Sequence, residues 1–378
     1  MSESPTARIT DYFGSLPDPR IERRKQHLLL DIVAIAVCAV IAGADGWTDI
    51  EQFGRAKEQW FRTFLALPNG IPSHDTFGRV FARLDPQAFQ QSFVDWVAAI
   101  HELTQGQIVA VDGKTLRRSH ERTLGKGAIY MVSAWATANR LVLGQVKVAA
   151  KSNEITALPE LLRLLELSGC IVTIDALGCQ SDVAETIVQQ GADYVLAVKE
   201  NQGRLYEDVK DLFDGYHGIA FQSIPHGYAK TVHKGHGRIE IRECWTLGDF
   251  ESLDSLRSQS VWKNLRSLVM VRAERRIGTK VSHETRYFIA SLEPNPKLAL
   301  RAVRQRWGIE NELHWVLDIA FREDESRVRK DHAPENLAVL RHMALNLLKQ
   351  ETTAKVGMHA KRLKAAWDEN YLLKVLQG

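Results

Sequence analysis

Apolar and polar positions follow two different periods along this chain, and the change of period divides it. Over residues 1–103 the apolar positions recur at helical spacing. The run Leu28–Ala44 is apolar almost all round, broken only by Asp31, and ends among Gly43 and Gly46. It is shorter than the ~20 residues a bilayer-spanning helix needs, so it predicts a buried core helix. Asp49–Leu65 places Ile50, Phe53, Trp60, Phe61 and Phe64 on a helical period. Ser73 is placed to cap a helix restarting at His74, and Pro86 opens another running through Phe93, Trp96, Val97 and Ile100. A small all-helical N-terminal domain is expected.

From Gln107 the texture changes. Two continuous apolar runs, Ile108–Val111 and Ile171–Ile174, each end in a lone aspartate, Asp112 and Asp175. Such runs read as strands buried on both faces. Between them lie strand-like Ala128–Ala138 and Leu141–Val148, joined at Asn139–Arg140, and a helix over Asn153–Leu167 with Leu158, Leu161, Leu162 and Leu165 on one face. Helix Ser181–Gln190 and strand Asp193–Val198 follow. The order β-β-β-α-β-α-β over 104–200 is the ribonuclease H-like topology. It brings Asp112 and Asp175 to neighbouring central strands if the first and fourth strands pair in parallel. Residues 201–295 are polar and basic with strand-like patches at Arg238–Trp245, Ser267–Arg272 and His283–Ala290, which predicts a β-rich insertion. Residues 296–350 are helical again and complete the core. The fold class expected is therefore α/β, a ribonuclease H-like core with a β-rich insertion behind a helical N-terminal domain. The basic tail, 351–378, reads as a peripheral helix.

On a wheel of 100° per residue, Glu310 falls inside the apolar arc of the 296–350 segment, between Trp307 and Leu317, whereas Glu312 falls on the polar side. A buried carboxylate without compensation is costly. Glu310 therefore either pairs with Arg306 one turn earlier or belongs to a site. Asp112 and Asp175 carry the same choice: each caps a turn, or the two together hold a divalent cation, since Mg²⁺ takes carboxylate oxygens. His233 and His236 lack a second Cys/His pair and read as solvated or phosphate-facing. The run Arg322–Lys330 reads as a solvated charged face.

With 378 residues the chain has material for two or three domains, and its net charge of only +3 means that any nucleic-acid argument rests on local clusters. The four cysteines form no CxxC pair and read as reduced packing residues. No apolar segment of signal-peptide type precedes Lys25. A cytoplasmic, nucleoid-associated protein without membrane partners is expected.

Several motifs together carry a resemblance. They are Leu16–Pro17–Asp18–Pro19–Arg20, Gly70–Ile71–Pro72–Ser73–His74–Asp75–Thr76–Phe77, Val111–Asp112–Gly113–Lys114, Ile174–Asp175–Ala176, Val198–Lys199–Glu200–Asn201–Gln202, His236–Gly237–Arg238–Ile239–Glu240 and Arg306–Trp307–Gly308–Ile309–Glu310–Asn311. Over almost its whole length the chain resembles the DDE transposases of bacterial insertion sequences, in the group of the H-repeat-associated proteins. The resemblance implies Asp112, Asp175 and Glu310 as catalytic carboxylates holding two Mg²⁺ ions, with Mn²⁺ as a substitute. It implies double-stranded DNA as partner, both the element's terminal inverted repeats and the target, with a homo-oligomer assembled on it. Lys114, Arg117, Arg118, Lys199, Asn201, His236, Arg238, Arg242 and Arg306 are the candidate DNA contacts. The wider group's Tyr-x2-Arg-x3-Glu-x6-Lys signature is kept at Arg306 and Glu310, but Val303 and Leu317 stand at its tyrosine and lysine positions. The helical domain is left between DNA binding and dimerisation. The competing functions are a structure-specific nuclease on the same fold and a decayed, non-catalytic DNA-binding relative.

Overall fold

The structure, a computed structural model, describes residues 7–100, 105–120, 127–148, 153–235 and 237–377. Its N-terminal part is helical: α1 (Ala7–Phe13), α2 (Leu29–Ile41), α3 (Trp47–Ala56), α4 (Glu58–Phe61), α5 (His74–Arg83) and α6 (Pro86–Ile100). The all-round apolar pattern of α2 has the predicted consequence, since every residue from Asp31 to Ile41 is buried. Full burial of each Ile or Val there contributes about 1.5–3 kcal/mol. Asp31 is accommodated because its carboxylate accepts the Leu67 N–H at 2.9 Å. Ser73 caps α5, its hydroxyl accepting from Thr76 N. Among the described residues no helix is long and apolar enough to cross a membrane.

The sheet begins with β1 (Ile108–Leu116), β2 (Ile129–Ala136) and β3 (Leu141–Lys147), an antiparallel meander. Helix α7 (Glu154–Arg163) leads to β4 (Ile171–Ile174), and α8 (Ser181–Gln189) leads to β5 (Asp193–Val198); β1, β4 and β5 run parallel. This is the predicted order. The segment after β5 opens with helix α9 (Gly203–Gly218), which the sequence patterns did not suggest. It continues with β6 (Gly227–Gly235), β7 (Arg238–Leu247), the short helix α10 (Phe250–Asp254), β8 (Ser267–Ile277) and β9 (Lys280–Ala290). These strands are no separate module. β9 pairs antiparallel with β5, and the described strands form one sheet in the order β3-β2-β1-β4-β5-β9-β8-β7-β6. The β8–β9 hairpin turns through only two residues, which places Gly278 at φ +57°, a conformation glycine adopts freely.

The C-terminal helices are α11 (Pro296–Gly308), a π-helical turn (Ile309–His314), α12 (Trp315–Ala320), α13 (Ala333–Gln350), α14 (Met358–Trp367) and α15 (Glu369–Gln377). Residues 296–350, read as helical, carry a π-helical turn between α11 and α12 and a largely non-helical stretch between α12 and α13. One sheet face packs Val109, Val111, Val172 and Ile174 into the core shared with α2, α7, α8 and α13. The other packs Ile108, Ile171 and Val195 beneath Ala299, Ala302 and Val303 of α11. Helix α13 joins helical domain to sheet: Asn336 donates to Phe81 O and Leu84 O at 2.8 and 3.0 Å, and Asn346 exchanges two 2.9 Å hydrogen bonds with the Val142 backbone. The basic tail is docked rather than peripheral. Arg362 is buried, donates to Val40 O at 3.0 Å and so satisfies carbonyls at the end of α2.

Candidate active site

The parallel β1–β4 register aligns Val111 with Ile174, so Asp112 and Asp175 follow at adjacent positions on neighbouring strands. Asp175 also performs the capping role considered for it, since Oδ1 accepts from Leu177 N at 3.0 Å and Gly178 N at 3.3 Å. The loop behind it is clamped by the segment after β5: Asn201 donates to Ala176 O at 2.8 Å, and Gln202 donates to Cys179 O. Asn201 therefore holds the Asp175 loop instead of reaching outward to a phosphate.

Helix α11 crosses the same sheet face and delivers Arg306 in its last turn. The π-helical turn then presents Glu310 and His314. Inserted π turns are frequent at functional sites because they re-aim the side chains that follow. Asp112, Asp175, Glu310, Arg306, Trp307 and Lys199 line one cavity of about 430 Å³. The Arg306–Glu310 ion pair considered from the sequence is not formed among the described residues; the guanidinium instead lies 5.5 Å from the Trp307 ring centroid. Glu312, expected in solvent, meets Arg140 at 3.0 Å and Lys349 at 3.7 Å.

Burial pushes the Asp112 carboxyl up to about 7; the Arg306 cation opposes that rise, while Asp175, Glu310 and Glu154 reinforce it. His314 Nδ1 lies 3.6 Å from Asp112 Oδ2, and its Nε2 is buried without a hydrogen-bond partner. Burial pulls this imidazole down to about 4, helped by Lys114 and opposed by Glu323, so it is neutral at pH 7. Glu154 and His314 were not singled out from the sequence. Glu154 has the ordinary signature of a helix start after Asn153, and His314 was one member of an apolar arc.

Two expectations are corrected here. Lys114 does not face outward to meet phosphate: its side chain is 13% exposed and pairs with Asp318 and with Glu323 at 2.7 Å. The run Arg322–Lys330 is not a fully solvated face, because Glu323 is 3% exposed, with its second oxygen 3.7 Å from the equally buried Arg341. Arg117 and Arg118 are exposed at the end of β1, Arg117 lying 3.1 Å from Asp324. Lys199 is exposed at the lip of the carboxylate cavity. Arg238 and Arg242 line a larger groove of about 1480 Å³ that also carries Lys230, Arg275, Arg301 and Arg304. His236 lies outside the described residues. Groove and cavity share Glu284, Arg286, Val303 and Trp307, and Trp307 has the Arg286 guanidinium 5.1 Å from its ring centroid.

The donor set fits a hard divalent cation. Carboxylate oxygens predominate, and among the described residues no Lys or Arg stands within ion-pair distance of Asp112, Asp175 or Glu310. No three His, Cys, Asp or Glu side chains among the described residues are already drawn close enough together to hold an ion.

Known proteins supply the frame for these residues. The family model described as "Transposase DDE domain" matches residues 103–347, and that described as "DDE_Tnp_1-associated" matches 10–97. "Putative transposase YncI" of Escherichia coli O157:H7 is 42% identical over 97% of this chain and 94% of its own length. "H repeat-associated putative transposase YhhI" of Escherichia coli (strain K12) is 38% identical over 98% of both chains. A cryo-EM structure of the piggyBac transposase synaptic complex with hairpin DNA aligns with 100% of this chain and 80% of that chain. At 11% identity and a TM-score of 0.44 that likeness is too distant to bear on the site. With the core model spanning both aspartates and the glutamate, and relatives matching from end to end, the chain belongs to the DDE transposases, in the group of the H-repeat-associated proteins.

Proposed function

We propose that the chain is the transposase of an insertion sequence, cutting DNA at the element's ends and joining the freed 3′-hydroxyls to target DNA. The observation that carries this reading is the convergence of Asp112, Asp175 and Glu310 on one cavity that opens beside a basic groove. When bound, two Mg²⁺ ions supply Lewis-acid activation of the attacking oxygen and charge neutralisation at the leaving oxygen. Asp112 would offer its oxygens from within β1, Asp175 from the residue just past β4, and Glu310 from the π turn. Asp112 must give up its proton to serve as a donor, so with its carboxyl near 7 the metal-free site is half-armed at neutral pH. Arg306 balances part of the negative charge and stands ready for a phosphate oxygen.

The groove residues Lys230, Arg238, Arg242, Arg301 and Arg304 hold the DNA backbone, a contact that positions the duplex without reading its sequence. Lys199 at the cavity and the exposed Arg117 and Arg118 at the end of β1 are further candidates for contacts to the DNA backbone. Assembly as a homo-oligomer on the DNA is part of the proposal. The test is a supercoiled plasmid carrying the inverted repeats that flank the gene, incubated with protein and Mg²⁺. Nicks at the repeat ends and covalent joining to a second plasmid are expected. Cutting of any duplex without joining would make the chain a nuclease instead.

A further inference from the structure

We propose that Glu154 is a fourth carboxylate of the cation site, reaching it from the opposite face of the sheet to Glu310. This rests on the cation-binding reading of Asp112, Asp175 and Glu310 and extends it.

Glu154 opens α7, and its residue is 7% exposed. Its carboxylate takes one hydrogen bond, from the Tyr130 hydroxyl at 2.7 Å, and no Lys or Arg among the described residues lies within ion-pair distance. Tyr130 pairs with Thr115 in the β1–β2 register, and its ring leans over Gly113, the residue after Asp112. A Cβ at position 113 would collide with the Tyr130 hydroxyl and ring, which explains why the motif has glycine there. Leu158, one turn beyond Glu154 on the same face of α7, approaches the position a Cβ on Gly178 would take, in the loop that Asp175 caps. The first turns of α7 are thus tied to the Asp112 strand through Tyr130 and to the Asp175 loop through Leu158.

The charge balance points the same way. Glu154 acts electrostatically on Asp112 and feels Asp175, so four carboxylates share one region, and Arg306 is the cation opposing them at Asp112. Buried negative charge of this kind is costly unless it is paired, bound to a cation or neutralised by a proton, and burial raises both Asp112 and Glu154. A divalent ion supplies what the side chains lack, and carboxylate oxygens are the ligands it prefers.

The experiment is calorimetric titration of the EDTA-stripped, full-length protein with Mn²⁺, alongside melting curves without metal. Glu154→Gln keeps an oxygen that accepts from Tyr130 and removes only the charge. It is expected to weaken Mn²⁺ binding by about 10–100-fold, the range seen when groups around a metal centre are removed, and to leave metal-free melting no lower than wild type. Tyr130→Phe, which breaks the hydrogen bond and keeps the carboxylate, is expected to bind within a few-fold of wild type. Glu154→Gln binding Mn²⁺ like wild type would overturn the proposal. So would a Tyr130→Phe loss as large as that of Glu154→Gln, because the pair would then be only a scaffold. Asp112→Asn separates the two levels: if it too binds like wild type, the cation site itself is wrong, whereas its loss beside an unaffected Glu154→Gln removes Glu154 alone.

Discussion

Replacing Asp112 with Asn in metal-free buffer should stabilise the protein at pH 8 and leave it unchanged near pH 4. The carboxyl is raised from 3.8 to about 7, first by burial and then by Asp175, Glu310 and Glu154, against the pull of Arg306. A folded-state value above the unfolded one means that the unfolded chain ionises first. The favourable contribution of protonated Asp112 is complete below about pH 4 and is lost as pH rises through about 7. A rise of about three units corresponds to roughly 4 kcal/mol, at ~1.36 kcal/mol per unit. Unfolding entropy of about 2.1 cal/mol/K per residue gives roughly 0.8 kcal/mol/K for this chain, so the variant should melt about 5 °C higher at pH 8. Melting curves of both proteins in EDTA, at half-unit steps from pH 4 to 8, cancel every group they share. Mg²⁺ should then reverse the order by stabilising the wild type alone. A difference that stays flat across this range, or an Asn variant less stable at pH 8, would refute the electrostatic picture of the site.

Lys114→Ala should lower stability by about 3–5 kcal/mol, because it leaves Asp318 and the buried Glu323 without their cation; thermal melts check this, and unchanged melting with weakened DNA binding would restore the phosphate role. Arg301→Ala with Arg304→Ala should reduce the slope of log K against log salt for duplex binding by about 0.9 for every phosphate that the two guanidiniums neutralise in the wild type. An unchanged slope would place the DNA elsewhere, on the helical domain or along Arg117 and Arg118.

The core was legible because it obeys simple periods. The apolar runs before Asp112 and Asp175 admit no solvated face, so they had to be central strands, and the β1–β4 register follows. The all-round apolar α2 announced its burial in the same way. Glu310 was visible as a carboxylate in an apolar arc, but a wheel of constant angle has no means of showing a π turn, so the helix looked continuous. Lys114 and Glu323 were misread because they lie 209 positions apart in sequence. Each looked like surface charge until the fold brought them together inside the protein. Glu154 was hidden for a similar reason. Its local pattern is that of a helix start, and only the Tyr130 hydrogen bond and the packing of Leu158 against Gly178 reveal the company it keeps. Strand β6 was masked by its composition, since Lys230, His233 and Lys234 lie on a strand whose residues are mostly exposed along the groove.

The role of Glu310 is the most direct test of the account, and one purified sample of Glu310→Gln is enough to make it. The amide keeps the shape of the side chain but not the charge, and no ion pair with Arg306 exists to be broken. Melting temperature and Mg²⁺-dependent cleavage of a duplex carrying the element's end are measured together. Wild-type melting with strand cleavage lost is the expected result; full cleavage by the well-folded variant would contradict it and remove Glu310 from the active site.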